Sequence, residues 1–167
     1  ILVNNAGINK VSDFLDISEK DWDQIIDTNL KGTFFSSQSF AQQLKSNNKP
    51  GSIINLGSLS SSIGIPTATA YTSSKSGILG MTKALSAEWA NYNIRVNSIA
   101  PGYFRTSLTE VFYSDKNWQK TMLDKIPMKR FGKMEDLHGV TILLASDASS
   151  YITGQIFYID GGFISSI

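Results

Sequence analysis

The amino-acid sequence predicts an α/β protein built on a doubly wound parallel sheet. Short apolar segments of strand composition alternate along the chain with longer segments in which apolar residues recur at helical spacing. Loops containing Asn, Ser, Gly or Pro follow the apolar segments, as expected where buried parallel strands end. Alternating strands and helices favour an open parallel sheet that is covered by helices on both faces.

The composition is that of one ordinary globular domain, which we assign to residues 1–167. At about 150 residues per domain, this length predicts a single domain. Hydrophobic residues make up 41% of the chain, which excludes disorder as a description of the whole. The 15 basic and 14 acidic residues leave a net charge of +1, so no basic excess exists to hold a phosphate backbone, and we expect no nucleic-acid partner.

Absent or rare residue types exclude several kinds of site. The chain has no cysteine, which excludes a disulfide framework, thiolate catalysis and thiolate metal sites. Its single histidine, His138, excludes a multi-histidine cluster, so we expect no metal. The longest apolar stretches are too short to span a bilayer, and we therefore expect a cytoplasmic protein with no membrane partner.

The first segment has the character of a buried strand that runs into a loop. Residues 1–3 are apolar, and residues 4–7 are Asn-Asn-Ala-Gly. A buried parallel strand needs a neighbour on each side. We therefore expect that N-terminal strands of the sheet are missing from this chain and that the sequence is the C-terminal part of a longer protein.

The first helix is predicted by a start signal and by periodicity. Ser18 is a typical N-cap residue, and acidic residues follow it in the first turn. Apolar residues from Trp22 to Phe35 then recur at helical spacing, and the pattern predicts one helix that continues to about Lys45. A loop containing Asn, Pro and Gly ends this helix.

The later elements are predicted in the same way. Apolar residues on one face, from Ile78 to Trp89, predict a second long helix that begins near Ala70. Short apolar runs bounded by Gly, Pro or Asn predict strands. The predicted order is a strand over 52–56, a loop over 57–69, the second helix to about 91, a strand over 94–99, an irregular lid over 103–117, helices over 118–125 and 135–145, and a last strand over 155–159.

Tyr71 and Lys75 are the first candidates for catalysis. Residues four apart share one face of a helix, about one turn apart. A Tyr hydroxyl titrates at about 10, and a nearby ammonium and the positive helix N-terminus both lower that pKa. The pair therefore suits acid/base exchange with an alcohol or ketone. The alternative is a solvated surface pair, since Tyr-x-x-x-Lys also occurs by chance.

Two more polar residues extend this candidate site. Ser58 follows the predicted strand upstream of Tyr71, where its hydroxyl can bond a substrate oxygen. Asn29 lies within the first predicted helix, although Asn is a mediocre helix former. The alternatives are an ordinary loop serine and a tolerated helical asparagine.

Several motifs occur along the chain in a fixed order. They are Asn4-Asn5-Ala6-Gly7, Asn29, Ser58, Tyr71-Thr72-Ser73-Ser74-Lys75, Pro101-Gly102-Tyr103-Phe104-Arg105-Thr106, and Gly154 with Asp160-Gly161-Gly162. In order and spacing the chain resembles the short-chain dehydrogenase/reductase family over essentially all 167 residues, which implies a Rossmann-type sheet. Within the family it is most similar to sugar-acid dehydrogenases such as gluconate 5-dehydrogenase and 2-deoxy-gluconate 3-dehydrogenase.

The resemblance implies a catalytic role for four residues. Tyr71 is expected to be the acid/base, and Lys75 to lower the pKa of Tyr71 and hold the nicotinamide ribose hydroxyls. Ser58 is expected to orient and polarise the substrate carbonyl. Asn29 is expected to hold a water that links Lys75 to solvent as a proton relay.

The resemblance also implies NAD or NADP as the cofactor, no metal, and a homodimer or homotetramer formed through the two long helices. Asn4, Ala6 and Gly7 are expected to lie against the adenosine side of the cofactor. Besides Tyr71 and Lys75, the residues expected at the nicotinamide end are Pro101, Gly102 and Thr106.

One departure from the family concerns the cofactor phosphates. The family's fold begins with a glycine-rich turn after its first strand, and this sequence has no such turn. The acidic or basic residue that separates NAD from NADP would also lie upstream. At about 30 residues per βαβ unit, we expect roughly 60 to 90 residues to be missing.

The function implied by the resemblance is NAD(P)-dependent interconversion of a secondary alcohol and a ketone by hydride transfer. The expected substrate is a sugar acid such as gluconate, and the alternative is a 3-oxoacyl-carrier-protein reductase. Two further hypotheses stay open. One is an inactive truncated fragment, and the other is a non-catalytic interaction domain, against which the presence of Ser58, Tyr71 and Lys75 argues.

The predicted lid supplies the expected substrate contacts beside Ser58, which are Tyr103, Phe104 and Arg105. A sugar acid needs a cation near its carboxylate, and Arg105, Lys129 and Arg130 are the candidates, with ordinary surface charge as the alternative. Aromatic residues of the lid either exclude water over a hydride transfer or simply pack together. They are Tyr103, Phe104, Phe112, Tyr113 and Trp118.

Overall fold

A computed structural model describes residues 1–107 and 109–166 and contains one parallel sheet of four strands in the order β1-β2-β3-β4. The strands are β1 (Leu2–Asn4), β2 (Gly51–Leu56), β3 (Ile94–Pro101) and β4 (Ile156–Ile159). All three strand pairs are parallel, so the four carboxyl ends lie at one edge of the sheet. The predicted α/β fold class is confirmed.

Helices cover both faces of this sheet. Because side chains alternate along a strand, Ile53 and Ile54 of β2 point to opposite faces. Ile53 packs in the cluster formed with α2 (Gly32–Ser46) and α3 (Thr69–Trp89), whereas Ile54 packs against α6 (His138–Ala145). Among the described residues, no helix combines the length and apolar character needed to cross a membrane.

The first predicted helix is interrupted in the structure. Ser18 caps α1 (Glu19–Ile26) by accepting a hydrogen bond from the Asp21 backbone N–H at 3.2 Å. A π-helical turn (Asp27–Lys31) then separates α1 from α2, with the Gly32 N–H donating to the Asp27 carbonyl. The predicted extent of the helix, from residue 18 to about 45, is confirmed, and what the sequence does not predict is the wider hydrogen-bond pattern of one turn in its middle.

The predicted irregular lid over 103–117 contains the short helix α4 (Glu110–Tyr113), and α5 (Lys116–Lys125) begins two residues before the helix that was predicted over 118–125. Asp115 begins α5 by accepting hydrogen bonds from the two backbone N–H groups two and three residues ahead, at 2.8 and 3.2 Å. The prediction of irregular structure over 103–117 is therefore wrong at its C-terminal end. Leu108, which falls within that predicted lid, lies outside the described residues.

A row of polar side chains crosses the sheet near its carboxyl edge. Asn4 and Asn55 are paired in register, and the Asn4 amide donates to Asn55 Oδ1 at 2.8 Å. The Asn55 amide in turn donates to Thr82 Oγ1 at 3.0 Å, and Ser98 Oγ donates to the Asn55 carbonyl at 3.1 Å. These groups are satisfied internally, as buried polar groups require. The alternation argument does not predict this row.

Candidate active site

A cavity of about 420 Å³ lies at the carboxyl edge of the sheet. Its walls come from the loops that follow β1, β2 and β3 and from the start of α3, which is where open parallel sheets bind ligands. The cavity lining includes most of the predicted site residues. They are Gly7, Ser58, Tyr71, Lys75, Pro101, Gly102, Tyr103, Phe104 and Thr106.

Lys75 enters the cavity from α3 as a buried ammonium, only 4% exposed. Its Nζ donates a hydrogen bond to the Leu56 carbonyl, at the end of β2, at 2.7 Å. Burial lowers the pKa of Lys75 to about 8, because a desolvated ammonium favours its neutral form. One of its three N–H groups is thus used by the protein, and two remain for a ligand.

Tyr71 lies one turn before Lys75 on the same helix, and the Lys75 Nζ is 5.7 Å from the centroid of its ring. Burial raises the pKa of Tyr71, and a hydrogen bond with the Ser58 side chain partly opposes that rise. Lys75 is not among the causes of this shift in the free protein, so its expected effect on the pKa of Tyr71 stays a prediction. Desolvation dominates, and the phenol is protonated at neutral pH.

Ser58 is held beside Tyr71 by a short 3₁₀ turn (Leu59–Ser61). The backbone N–H of Ser58 donates to Ser61 Oγ at 3.1 Å, and Ser61 Oγ donates to the Lys75 carbonyl at 2.9 Å. The loop after β2 is thereby tied to α3. Ser61 is a positioning residue that the sequence analysis missed, because nothing in its spacing distinguishes it from its serine neighbours.

Asn29 lies fully buried in the π-helical turn and does not line the cavity. Its side chain bonds both backbone groups of Ile8, at 2.8 and 2.9 Å, and donates to Ser74 Oγ at 3.0 Å. Thr33 Oγ1 also donates to the Asn29 backbone carbonyl at 2.8 Å. The Asn29 side chain therefore anchors the loop after β1. Its expected role in holding a water of a proton relay stays a prediction.

The loop after β1 brings Gly7 next to Lys75. A Cβ at Gly7 would lie 3.6 Å from both Lys75 Nζ and Asn29 Oδ1, so the glycine keeps the space beside the ammonium open. The Asn4 side chain is committed to Asn55, Ser36 and Ser37, and Ala6 is exposed outside the cavity lining. A cofactor contact at residues 4–7 stays a prediction.

In the loop after β3, close packing accounts for two of the predicted site residues, Gly102 and Phe104. A Cβ at Gly102 would lie 2.7 Å from the Asp160 Cα, so only glycine fits against that backbone. The Phe104 side chain is 5% exposed and packs directly over Gly132. Thr106 is engaged with Thr109, whose Oγ1 accepts from the Thr106 N–H at 2.9 Å.

The predicted carboxylate-binding cations lie outside the cavity lining. Arg105 makes a bidentate ion pair with Glu110, at 2.8 and 2.5 Å, and does not reach the cavity. Arg130 pairs with Asp136, and the Lys129 Nζ donates to a backbone carbonyl. Among the described residues that line the cavity, Lys75 is the one cation.

The aromatic residues of the lid form a packed wall of the cavity. Trp118 lies at its centre, with ring centroids 5.3 Å from Tyr113, and 5.7 Å from both Tyr103 and Phe112. These four rings also line the cavity, so the residues that pack together are the ones in a position to shield a hydride transfer from water. Burial raises the pKa of Tyr103, which therefore stays neutral.

The sequence profile of a family described as Enoyl-(Acyl carrier protein) reductase, one of the short-chain dehydrogenases/reductases, matches residues 1–164. The chain belongs to the short-chain dehydrogenase/reductase family. Among the relatives of this dehydrogenase/reductase chain is 2-dehydro-3-deoxy-D-gluconate 5-dehydrogenase of Dickeya dadantii, 44% identical over 165 residues. That alignment covers 99% of this chain and 65% of the relative.

Two further short-chain dehydrogenases/reductases are similar over almost the whole chain. The 3-oxoacyl-(acyl-carrier-protein) reductase FabG of Thermotoga maritima is 44% identical, over 98% of this chain and 65% of its own length. The crystal structure of gluconate 5-dehydrogenase from Burkholderia cenocepacia, in complex with NADP and tartrate, superposes with a TM-score of 0.96 at 34% identity. It covers 99% of this chain and 65% of that one. The chain thus spans about two thirds of the length of these relatives.

Proposed function

We propose that this protein is an NAD(P)-dependent oxidoreductase that interconverts a secondary alcohol and a ketone by hydride transfer. The observation that supports this most directly is the meeting of Ser58, Tyr71 and Lys75 in one cavity at the carboxyl edge of the sheet. Three different polar groups from two elements converge there on a site lined by aromatic rings, which suits an acid/base step shielded from water.

The cofactor we propose is NAD or NADP, and the residues present fit its nicotinamide ribose end. Two N–H groups of Lys75 are free for ribose hydroxyls, and Gly7 leaves room beside them. The Burkholderia gluconate 5-dehydrogenase holds NADP, which supports this assignment. When bound, the cofactor supplies or accepts the hydride.

The residues of this chain supply the proton. In the reducing direction the protonated Tyr71 hydroxyl donates to the substrate oxygen, and in the oxidising direction it takes the proton back. Ser58 Oγ accepts from the Ser60 N–H at 3.2 Å and keeps its own proton to orient the substrate oxygen. With a pKa of about 8, Lys75 can return a proton to Tyr71 near neutral pH.

The substrate we propose is a sugar acid such as gluconate. The names of the Dickeya and Burkholderia relatives support this class. Arg105 is paired with Glu110 and lies outside the cavity lining. Recognition of the substrate would therefore come from hydroxyl and backbone groups of the cavity. A 3-oxoacyl-carrier-protein reductase is the alternative, supported by the Thermotoga relative. An inactive truncated fragment is the remaining alternative for the chain of 167 residues.

We infer a homodimer or homotetramer in the cytoplasm. Phe34 and Phe35 on α2 are 42% and 52% exposed, which supports a covered apolar face. Phe40 and Trp89, on the same two long helices, instead pack against the core. Light scattering on the full-length protein would show a single mass above that of the monomer, and a strictly monomeric protein would contradict the proposal.

The Tyr71→Phe variant of the full-length protein tests the proposed chemistry. Turnover of gluconate and of a 3-oxoacyl thioester is measured with both nicotinamide cofactors. We expect at least about a hundredfold loss of kcat, since one positioned acid/base is worth about 10²–10⁴ in rate. Cofactor affinity should change less than about twofold, because the ring remains. Tyr151→Phe, at a fully exposed site, is the matched control. Retention of most activity in Tyr71→Phe would contradict the mechanism.

A further inference from the structure

The Tyr113 hydroxyl is a buried polar group that the proposed mechanism does not use. Tyr113 ends α4, is 6% exposed and forms part of the wall of the active-site cavity. Its Oη has no hydrogen-bond partner among residues 1–107 and 109–166. An unpaired buried hydroxyl costs free energy and needs an explanation.

Packing does not explain this hydroxyl. The ring of Tyr113 makes edge-to-face contacts with Phe131, at 4.8 Å between centroids, and with Trp118, at 5.3 Å. A phenylalanine would make both contacts equally well and would leave no orphan oxygen. Burial raises the pKa of Tyr113 to about 12, so the group stays protonated and can both donate and accept.

We propose that the Tyr113 hydroxyl determines substrate specificity, by hydrogen bonding an oxygen on the non-reacting part of a polyhydroxylated substrate. This proposal rests on the proposed function and narrows its substrate class. Tyr71 and Ser58 approach from α3 and the loop after β2, whereas Tyr113 approaches from α4, so the cavity has polar groups from separate walls.

The hydroxyl is shielded from solvent as well as unpaired. A substrate therefore meets it only when α4 shifts toward the bound molecule. Helix α4 has four residues, a single turn, so a shift of this helix breaks few backbone hydrogen bonds. A hydroxyl that is buried and unpaired in the free protein favours a substrate that carries oxygens along its chain. The hydrocarbon tail of a 3-oxoacyl group would leave the hydroxyl unpaired.

The test is Tyr113→Phe in the full-length protein, with Tyr151→Phe as the matched control at a fully exposed site. KM and kcat are measured for gluconate and for a 3-oxoacyl thioester, and thermal unfolding is followed without substrate. We expect KM for gluconate to rise about tenfold with kcat changed less than about twofold, as for loss of one hydrogen bond made throughout the reaction. The unfolding midpoint should stay the same or rise, because the orphan hydroxyl is removed.

Three results would overturn the inference, and they separate it from the proposed function. An unchanged KM for gluconate in Tyr113→Phe would mean that the hydroxyl does not contact the substrate. A wild-type protein that reduces the thioester but does not act on gluconate would overturn the inference and leave the oxidoreductase function standing. A wild-type protein inactive on both substrates with both cofactors would overturn both.

Discussion

A single buried ammonium links the folding energetics of this protein to its proposed chemistry. Lys75 is nearly inaccessible, and its Nζ bonds the Leu56 carbonyl. Desolvation lowers its pKa from an ordinary value of 10.5 to about 8, which brings its proton into the range useful for catalysis. Burial thus raises the pKa of Tyr71 and lowers that of Lys75, which supports the proposed proton exchange between them.

The low pKa of Lys75 predicts a pH dependence of stability. Between about pH 8 and 10.5 the unfolded chain holds this proton and the folded chain does not, so the free energy of unfolding rises with pH. Relative to Lys75→Met, the wild type should gain stability across this window, with a slope of at most about 1.4 kcal/mol per pH unit. Urea unfolding of both proteins from pH 7 to 10.5 measures it. A constant difference would show that the pKa is not lowered.

Close packing between helical elements positions the start of α3. A Cβ at Gly77 would lie 2.8 Å from a methyl of Leu30, which sits in the π-helical turn. The wide turn and the glycine thus meet where the two helical segments cross. Gly80, on the same helix, has open space around it. The two glycines therefore have different physical reasons to be present.

Replacing each of these glycines by alanine separates helix propensity from packing. Gly80→Ala should stabilise the protein by about 0.5–1 kcal/mol, because alanine is the better helix former. Gly77→Ala gains the same propensity but forces Leu30 to move, so we expect it to be less stable than Gly80→Ala by about 1–2 kcal/mol. Denaturant unfolding of the two variants measures the difference. Equal stability of the variants would show that the contact is loose.

Elements with strong local signals could be predicted from the sequence, and elements set by tertiary contacts could not. The helix cap at Ser18 and the apolar strand cores were predicted because local periodicity determines them. Residues four apart on one helix also placed Tyr71 with Lys75. The π turn contains Asn29, whose buried contacts with Ile8 no spacing reveals. The pairing of Arg105 with Glu110 similarly depends on where the lid folds.

The central strands of the sheet and the lid differ in how strongly the rest of the fold holds them. Strands β2 and β3 are paired on both sides and hold side chains that are almost completely buried, such as Ile53, Ile54 and Val96. The lid has short helices joined by turns, and it reaches the cavity through buried side chains such as Tyr113 and half-buried ones such as Phe112. Stability is therefore distributed unevenly between the sheet and the lid.

Native-state hydrogen exchange should show this difference directly. Amides of β2 and β3 should exchange slowest, with free energies of opening close to that of global unfolding. Amides over residues 103–107 and 109–118 should exchange through local openings and at least about a hundredfold faster. Exchange followed by mass spectrometry of the full-length protein resolves these peptides. Equal protection of lid and sheet would contradict a lid that opens independently.

The row of amides across the sheet has a consequence for how the strand ends are aligned. Asn4 ends β1, and Asn55 is the next-to-last residue of β2. A slip of one residue would turn Asn55 to the opposite face and strand its amide among apolar side chains, at the cost of several hydrogen bonds. The relative heights at which Gly7 and Ser58 enter the cavity are thus set by an amide pair that lies three residues before each of them.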